Sequence, residues 1–352
     1  MGPRAFLIWL LITMTMVILA TFVVLDKPTA NFDPISREPV FSDLRKSPDS
    51  VSKIEIKSRF GSFSIERSDG TWKTPDKFGY RVDESNVRRL VISLSDMRYI
   101  ERKTSRPDRF SRLEVEDIDG DDSESAYVRM TNSQGKVLAE SIIGRPSARF
   151  IDGAVSGNYI REPGSNNVWL VSGIASVQTR LVPWLHGNIV SMSAEKIKRV
   201  VLSGPDGKIT LVRESPKKEE LILEKTNSKT QLDGEKVGSI KRAMADINLE
   251  DVKPKKDFIL SPNARVAKFL TFSGISITAK LQKSEEQNWV IFSAEYEKDK
   301  SHTKEVEDSS LKKVEEINMR VKDWVYWIPS KDFEILTYKL KDIIKETKDK
   351  SS

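Results

Sequence analysis

The chain has 352 residues, of which 38% are hydrophobic and 31% charged, and its formal charge is only +6. At roughly 150 residues per domain this length predicts about two domains, and a small charge of mixed sign does not indicate nucleic-acid binding. The chain has no cysteine and two histidines, which excludes disulfides, thiol nucleophiles, Cys-ligated metals and a three-histidine zinc site.

The first predicted element is a transmembrane anchor over residues 1–27. Residues 5–25 carry no charge, and as a helix these 21 residues would span roughly 31 Å, close to the hydrocarbon thickness of a bilayer. Arg4 precedes the span, while Asp26 and Lys27 after it nearly cancel, so the positive-inside rule predicts a cytoplasmic N-terminus. A cleaved signal peptide and a buried core helix are the alternatives.

The next segment, residues 28–50, begins with a stretch rich in Pro, Asn and Ser that lacks periodicity. This composition predicts a tether that holds the folded part of the chain off the membrane. All that follows the anchor is therefore expected outside the cytoplasm, in the periplasm if the cell is a Gram-negative bacterium.

The remaining chain is predicted to contain two copies of one α+β unit, residues 51–190 and 191–352. Each copy opens with alternating apolar residues around a glycine-containing turn, which predicts a β-hairpin followed by a third strand. A helix follows in each copy, with Asp83 and Asp233 as its N-caps. Each copy then has a second hairpin and an aromatic strand. Two unrelated α+β domains are the alternative.

The second copy also carries a charged helical insertion, residues 297–322. Its apolar residues recur at helical spacing and predict a surface helix with a thin apolar stripe, made of Val306, Leu311, Val314 and Ile317. This helix either contacts a partner or covers a sheet edge. The predicted fold class is therefore α+β: a transmembrane helix followed by two similar tandem domains, each with antiparallel hairpins and a packed helix.

Basic residues follow the first helix of each copy, and they are the candidate contacts with a partner protein or with anionic lipid headgroups. Ordinary solvated loops are the alternative. Nucleic acid is not expected, because the domains are predicted to lie outside the cytoplasm. The residues are Arg98, Arg102, Lys103, Arg106, Arg109 and Arg112 in the first copy and Lys253, Lys255 and Lys256 in the second.

An acidic run at residues 114–124 suggests calcium binding, but the EF-hand register fails. Asp122 stands where that loop requires Gly, and Val128 stands where it requires Glu, so an irregular calcium loop and a solvated loop both stay open. His186 is predicted to be structural or at the surface, and His302 to be solvated.

Tryptophans on the predicted strands are expected to pack in the core, with a sugar-binding platform as the alternative. They are Trp72, Trp169, Trp289 and Trp327.

Four short motifs follow the first predicted helix: Phe110-Ser111-Arg112-Leu113-Glu114, Ile142-Ile143-Gly144, Tyr159-Ile160 and Val168-Trp169-Leu170-Val171. Together with the single N-terminal span, they resemble the bacterial domain of unknown function 4340 (DUF4340) family. The resemblance covers residues 50–190 and, more loosely, the second copy. It implies a membrane-anchored extracytoplasmic protein whose relatives are often encoded beside subunits of gliding-type ABC transporters, and it implies no catalytic residue or cofactor.

The sequence therefore predicts a non-enzymatic, single-pass protein of the bacterial inner membrane. Its expected role is that of an accessory or scaffold subunit of an ABC-type envelope transporter, with the permease and ATPase subunits as partners and no cofactor or metal. An anchored module that binds glycan or polymer through exposed aromatic residues is the alternative. A third hypothesis is an anchored hydrolase that uses acidic residues such as Asp117 and Asp119.

Overall fold

A computed structural model describes residues 13–17, 38–118, 123–147, 150–151, 154–155, 157–224 and 231–345. Most of the predicted anchor, the first part of the tether and residues 119–122 of the acidic run lie outside these ranges. Residues 13–17 are helical, and their side chains, Met14 and Met16 among them, are exposed. Within the described ranges, no helix is both long and apolar enough to cross a membrane.

The first half of the chain forms a nine-stranded sheet and a separate two-stranded ribbon, counted over the described residues. The sheet order is β4-β3-β2-β1-β6-β7-β10-β11-β5, and β8 pairs with β9 in the ribbon. The strands are β1 Val51–Ser58, β2 Gly61–Ser68, β3 Thr71–Thr74, β4 Tyr80–Arg81, β5 Tyr99–Thr104, β6 Ala126–Asn132, β7 Val137–Pro146, β8 Phe150–Ile151, β9 Ala154–Val155, β10 Asn158–Arg161 and β11 Val168–Val171.

The second half forms an eight-stranded sheet in the same described part of the chain, with the order β14-β13-β12-β16-β17-β18-β19-β15. Neighbouring strands are antiparallel, as in β16–β17 and β17–β18. The strands are β12 Ile197–Gly204, β13 Gly207–Val212, β14 Ile222–Leu223, β15 Asp251–Pro254, β16 Arg265–Thr271, β17 Ile275–Ser284, β18 Gln287–Tyr296 and β19 Trp324–Trp327.

The two sheets have the same order of corresponding strands. In each, the first hairpin (β1–β2 or β12–β13) lies beside the second (β6–β7 or β16–β17). The strand that follows the first long helix (β5 or β15) returns to the far edge, beside the last strand (β11 or β19). The prediction of mixed α and β structure dominated by antiparallel sheets is confirmed.

Helices begin where the sequence places their caps. The Asp83 carboxylate accepts a hydrogen bond from the Ser85 amide at 2.8 Å, and Asp233 accepts from the amides of Glu235 and Lys236. These bonds satisfy first-turn amides that a helix leaves without a partner. The helices after residue 38 are α1 Ser42–Lys46, α2 Glu84–Ser95, α3 Phe110–Leu113, α4 Gly234–Arg242, α5 Lys304–Val321, α6 Ser330–Leu336 and α7 Leu340–Ile343.

The packing divides the chain into two compact units. One combines Met1–Ser62 with Arg88–Thr179, and the other combines Phe63–Val87 with Arg180–Ser352. The core of the second unit therefore includes Tyr80, whose ring makes an edge-to-face contact with Trp324 at a centroid distance of 4.9 Å. Aromatic pairs in this arrangement stabilise a core beyond the area that they bury.

The charged insertion contains the predicted helix, α5, which begins after its N-cap Thr303. It packs on β17 and β18, which are interior strands, so the predicted position at a sheet edge is wrong. The predicted apolar stripe is also wrong in part, because Leu311 is 46% exposed while Ser310 is buried. The Ser310 hydroxyl donates to the Ser273 carbonyl at 2.9 Å, which satisfies this buried polar group.

The prediction that His302 is solvated is wrong. Its ring is half-buried, and Nε2 lies 2.8 Å from the Phe272 carbonyl oxygen while Nδ1 lies 2.9 Å from the Tyr296 hydroxyl. Both ring nitrogens are therefore engaged in hydrogen bonds. Gly274 makes room for this ring, since a Cβ there would lie 2.8 Å from the ring carbon Cε1. His302 therefore stabilises the β16–β17 turn.

Candidate functional site

The predicted basic residues lie at corresponding edges of the two sheets. One group surrounds β5, and the other lies on and after β15, and each of these strands is the last in its sheet. The 3₁₀-helices Pro107–Arg109 and Lys255–Asp257 continue the two basic segments. The first group comprises Arg98, Arg102, Lys103, Arg106, Arg109 and, on α3, Arg112, and the second Lys253, Lys255 and Lys256.

Several of these cations already have partners. Lys103 forms an ion pair with Glu101, and Arg106 contacts both carboxylate oxygens of Asp108, at 3.1 and 2.9 Å. The Lys253 ammonium lies 3.9 Å from the centre of the Trp289 ring, which is within cation–π distance. The charges of these three side chains are therefore partly compensated within the protein.

Four other cations stay available for an external contact. Their side chains are exposed and form no ion pair with another residue of the described chain; they are Arg102, Arg109, Lys255 and Lys256. Exposed cations attract an acidic surface from a distance and contribute little to the stability of the fold itself.

The two basic edges are poorly suited to pairing with another strand. The ladder between β5 and β11 has two irregularities, and Tyr99 at the start of β5 already donates its amide to the Glu38 carbonyl at 3.1 Å. The other edge strand, β15, has four residues and ends in Pro254. Bulges, short strands, proline and charges are the features that keep sheet edges from aggregating. A partner would therefore contact these edges through their exposed charges and not by strand pairing.

The acidic run contributes no metal site among the described residues. Asp117 forms an ion pair with Arg161, and Glu124 forms one with Arg59. No group of three or more acidic or histidine side chains in the described ranges could hold a metal ion. Burial raises the pKa of Glu114, with a further contribution from the neighbouring carboxylates. Asp119, named in the hydrolase hypothesis, and Asp122 lie outside the described residues.

His186 lies in the second unit and is half-buried. Its backbone N–H donates to the Arg81 carbonyl at 3.0 Å, and its own carbonyl accepts from the Tyr80 hydroxyl at 3.0 Å. Burial, followed by the nearby charges of Arg81 and Arg320, lowers the pKa of its ring. The backbone contacts give the residue a structural role.

A cleft of about 500 Å³ opens in the first unit, beside Trp169. Residues from β7, β10 and β11 line it together with the segment around α1, and Tyr99 on β5 completes it. The rings of Trp169 and Tyr99 are in contact, with centroids 4.9 Å apart and planes inclined by 61°. Glu162 and Asn167 stand in the same cleft. Sequence reasoning noted Trp169 but not the polar residues beside it.

The strand tryptophans are only partly in the core. Trp289 is buried, with 5% of its surface exposed, whereas Trp72, Trp169 and Trp327 are half-buried. The prediction of core packing is therefore confirmed for Trp289, whereas the other three tryptophans are only partly buried.

The motif residues converge on a buried arginine that sequence reasoning did not single out. Arg161 is 2% exposed, and its guanidinium donates to the carbonyls of Val115 at 2.7 Å and Ser165 at 3.0 Å and to the Asp117 carboxylate. It also lies 4.7 Å from the Phe110 ring centre. A planar guanidinium with five N–H donors can satisfy this many acceptors at once. The arginine thus joins α3, the following loop and β10.

Close backbone approach explains two further residues near this cluster. A Cβ on Gly144 would lie 2.3 Å from the Leu113 carbonyl oxygen, so only glycine fits there. Asn158 donates its side-chain amide to the Gly144 carbonyl at 2.8 Å and accepts from the Ala175 amide at 2.9 Å. These contacts hold the segment after α3 against the sheet, so the motifs encode structure.

A sequence model of the family described as "Domain of unknown function (DUF4340)" matches residues 72–263 of the chain, which is more than half of it. The chain belongs to this family. No curated protein and no solved structure matches the chain. The DUF4340 match runs from β3 to the loop before β16, and it therefore includes the Arg161 cluster and both basic edges. It also includes the residues of the Trp169 cleft from Tyr99 onward, whereas the cleft residues around α1 precede it.

Proposed function

We propose that this protein is a non-enzymatic accessory or scaffold subunit of an ABC-type envelope transporter. In this proposal, residues 1–27 anchor it in the bacterial inner membrane, residues 28–50 form the tether, and two copies of one α+β unit face the periplasm. The permease and ATPase subunits are its partners. The observation that carries the proposal is the pair of exposed basic edges, at β5 and β15, in two sheets of the same strand order.

The presence of an exposed basic edge in both sheets favours a role of these edges in binding. Arg102 and Arg109 on one edge and Lys255 and Lys256 on the other are exposed and form no ion pair with another described residue. Complementary charges across an interface steer association and select the partner, while each exposed pair contributes only about 0–1 kcal/mol. Two such edges fit an acidic protein surface, and the headgroups of anionic lipids are the competing contact.

Affinity purification tests this function directly. The tagged full-length protein would be extracted from native membranes in a mild detergent at low ionic strength, and the co-purifying proteins would be identified by mass spectrometry. We expect a permease and an ATPase subunit. Recovery of the protein alone, with an intact transporter found free in the same extract, would contradict the proposal.

Charge reversal separates a protein partner from lipid. The double variants Arg102→Glu/Arg109→Glu and Lys255→Glu/Lys256→Glu should each reduce transporter recovery, while binding to vesicles containing phosphatidylglycerol stays unchanged. Loss of vesicle binding with unchanged recovery would assign the edges to lipid instead. A matched control reverses the exposed Lys312, which lies on α5 and forms no ion pair with another described residue.

A second candidate function is an anchored module that binds envelope glycan or polymer. The observation that favours it is the half-buried Trp169, which stands in a cleft with polar groups around it. Full burial of this side chain would have removed the basis of that candidate.

A further inference from the structure

The Trp169 cleft gathers polar groups that the fold does not use. The carboxylate of Glu162, the side-chain amide of Asn167 and the hydroxyl of Ser42 all line it, and these side chains are exposed. None of these three groups forms a hydrogen bond to another described residue, and neither does the Trp169 indole N–H. Unengaged donors and acceptors beside an aromatic ring are the features of a ligand site.

The charge of the cleft limits which ligand it can take. Three carboxylates line it, and no lysine, arginine or histidine does so among the described residues. Two of the carboxylates are already engaged, because Asp43 pairs with Lys136 at 2.7 Å and Glu140 accepts a hydrogen bond from Tyr127. One free carboxylate, Glu162, remains. An anionic ligand is therefore disfavoured, and a ligand with many neutral polar groups fits better.

We propose that this cleft binds a neutral saccharide unit of an envelope glycan. A pyranose ring presents a flat face of C–H groups, which packs against an aromatic ring, and an edge of hydroxyls, which donate to a carboxylate and exchange hydrogen bonds with an amide. Trp169 supplies the aromatic ring, and Glu162 and Asn167 supply the carboxylate and the amide. A volume of about 500 Å³ is within the usual range for small-ligand pockets.

At the corresponding end of the second sheet, Trp327 on β19 packs in an apolar cluster. It packs with Trp289 at a centroid distance of 6.5 Å, and Phe258 and Leu260 of the same chain complete the cluster. The proposed binding site therefore lies in the first unit. This proposal rests on the second candidate function and is independent of the transporter role, and Trp327 serves as a matched control residue.

Isothermal titration with defined saccharides tests the proposal. The full chain would be placed in lipid nanodiscs, because maltoside detergents carry saccharide headgroups that would compete for the cleft. Chitotriose, cellotriose and maltotriose are the neutral probes, and spermidine is the cationic probe. A parallel sedimentation assay with isolated peptidoglycan distinguishes a polymeric source of the saccharide from a free one.

We expect at least one trisaccharide to bind, and both Asn167→Ala and Glu162→Gln to weaken its binding by about fivefold or more. Asn167→Ala removes the hydrogen-bonding amide, and Glu162→Gln replaces a charged acceptor with a weaker neutral one. Trp169→Phe should weaken binding too, while Trp327→Phe should not. The residues Asn167 and Glu162 are exposed, so circular dichroism should show these variants folded.

Three results would overturn the proposal: no saccharide binding up to about 10 mM, binding that the cleft variants leave unchanged, or preferential binding of spermidine. These results leave transporter co-purification unaffected, so failure of this inference and failure of the transporter proposal are distinguishable.

Discussion

Replacing the buried Arg161 by lysine tests the structural role of the cluster that carries the family motifs. Lysine keeps the charge but has a single ammonium on a shorter stem, so it cannot reach the carbonyls of Val115 and Ser165 together. A buried carbonyl left without a donor costs about 1–3 kcal/mol. We therefore expect Arg161→Lys to lower the free energy of unfolding of the first unit by about 3 kcal/mol.

The matched control, Asp117→Asn, removes the charge of the residue that forms the ion pair with Arg161. The Asp117 side chain is 71% exposed, so water replaces the lost contact, and Asp117→Asn should cost about 0–1 kcal/mol. Urea denaturation of the full chain, followed by far-UV circular dichroism, measures both variants. An Arg161→Lys cost below about 1 kcal/mol, or equal costs for the two variants, would refute this reasoning.

Three further predictions concern stability. Gly144→Ala should cost at least about 2 kcal/mol in the same assay, because its Cβ meets the Leu113 carbonyl, whereas Gly234→Ala, with open space around it, should cost nothing. Burial raises the pKa of Tyr80 to about 12. The unfolded chain ionises this tyrosine near pH 10, so stability falls as pH rises from 10 to 12, and Tyr80→Phe should flatten this part of the stability curve; an unchanged slope would contradict it. Two neighbouring cations hold the pKa of Asp206 at about 2. The stability that this carboxylate adds is lost as pH falls from about 4 to 2, and Asp206→Asn should reduce the acid sensitivity measured by thermal denaturation; equal sensitivity would contradict it.

Much of the fold could be predicted from local signals. Alternating apolar residues mark the hairpins because successive side chains of a strand point to opposite faces. The caps Asp83 and Asp233 are recognisable because a short carboxylate at this position accepts hydrogen bonds from the first-turn amides of its own helix. The exposed position of the basic segments around β5 and β15 is also a local property, since charged side chains rarely enter a core without partners.

Features that depend on distant parts of the chain could not be predicted. One acceptor of the buried Arg161, the Val115 carbonyl, lies 46 residues away in the sequence. His302 is held by Phe272, which lies 30 residues away in the sequence. Nothing in the residues next to either position indicates these partners.

The cleft beside Trp169 was missed for the same reason. Its walls come from the segment around α1 and from four strands, and only the folded sheet brings Ser42, Tyr99 and Glu140 to Trp169, although Glu162 and Asn167 are close to it in the sequence. The helix α5 shows a related failure, since Leu311 fits the apolar spacing but faces solvent. A helix can rotate by a fraction of a turn to suit its neighbours, so spacing alone does not decide which residues are buried.

Site-specific photo-crosslinking in living cells tests the transporter role most directly. A benzophenone amino acid would replace Arg102 on one basic edge or Lys255 on the other, with Lys312 on α5 as the control position. After irradiation, mass spectrometry would identify the captured proteins. The account predicts crosslinks to the permease from Arg102 and Lys255 and none from Lys312. No permease crosslink from either edge, or equal capture from all three positions, would contradict it.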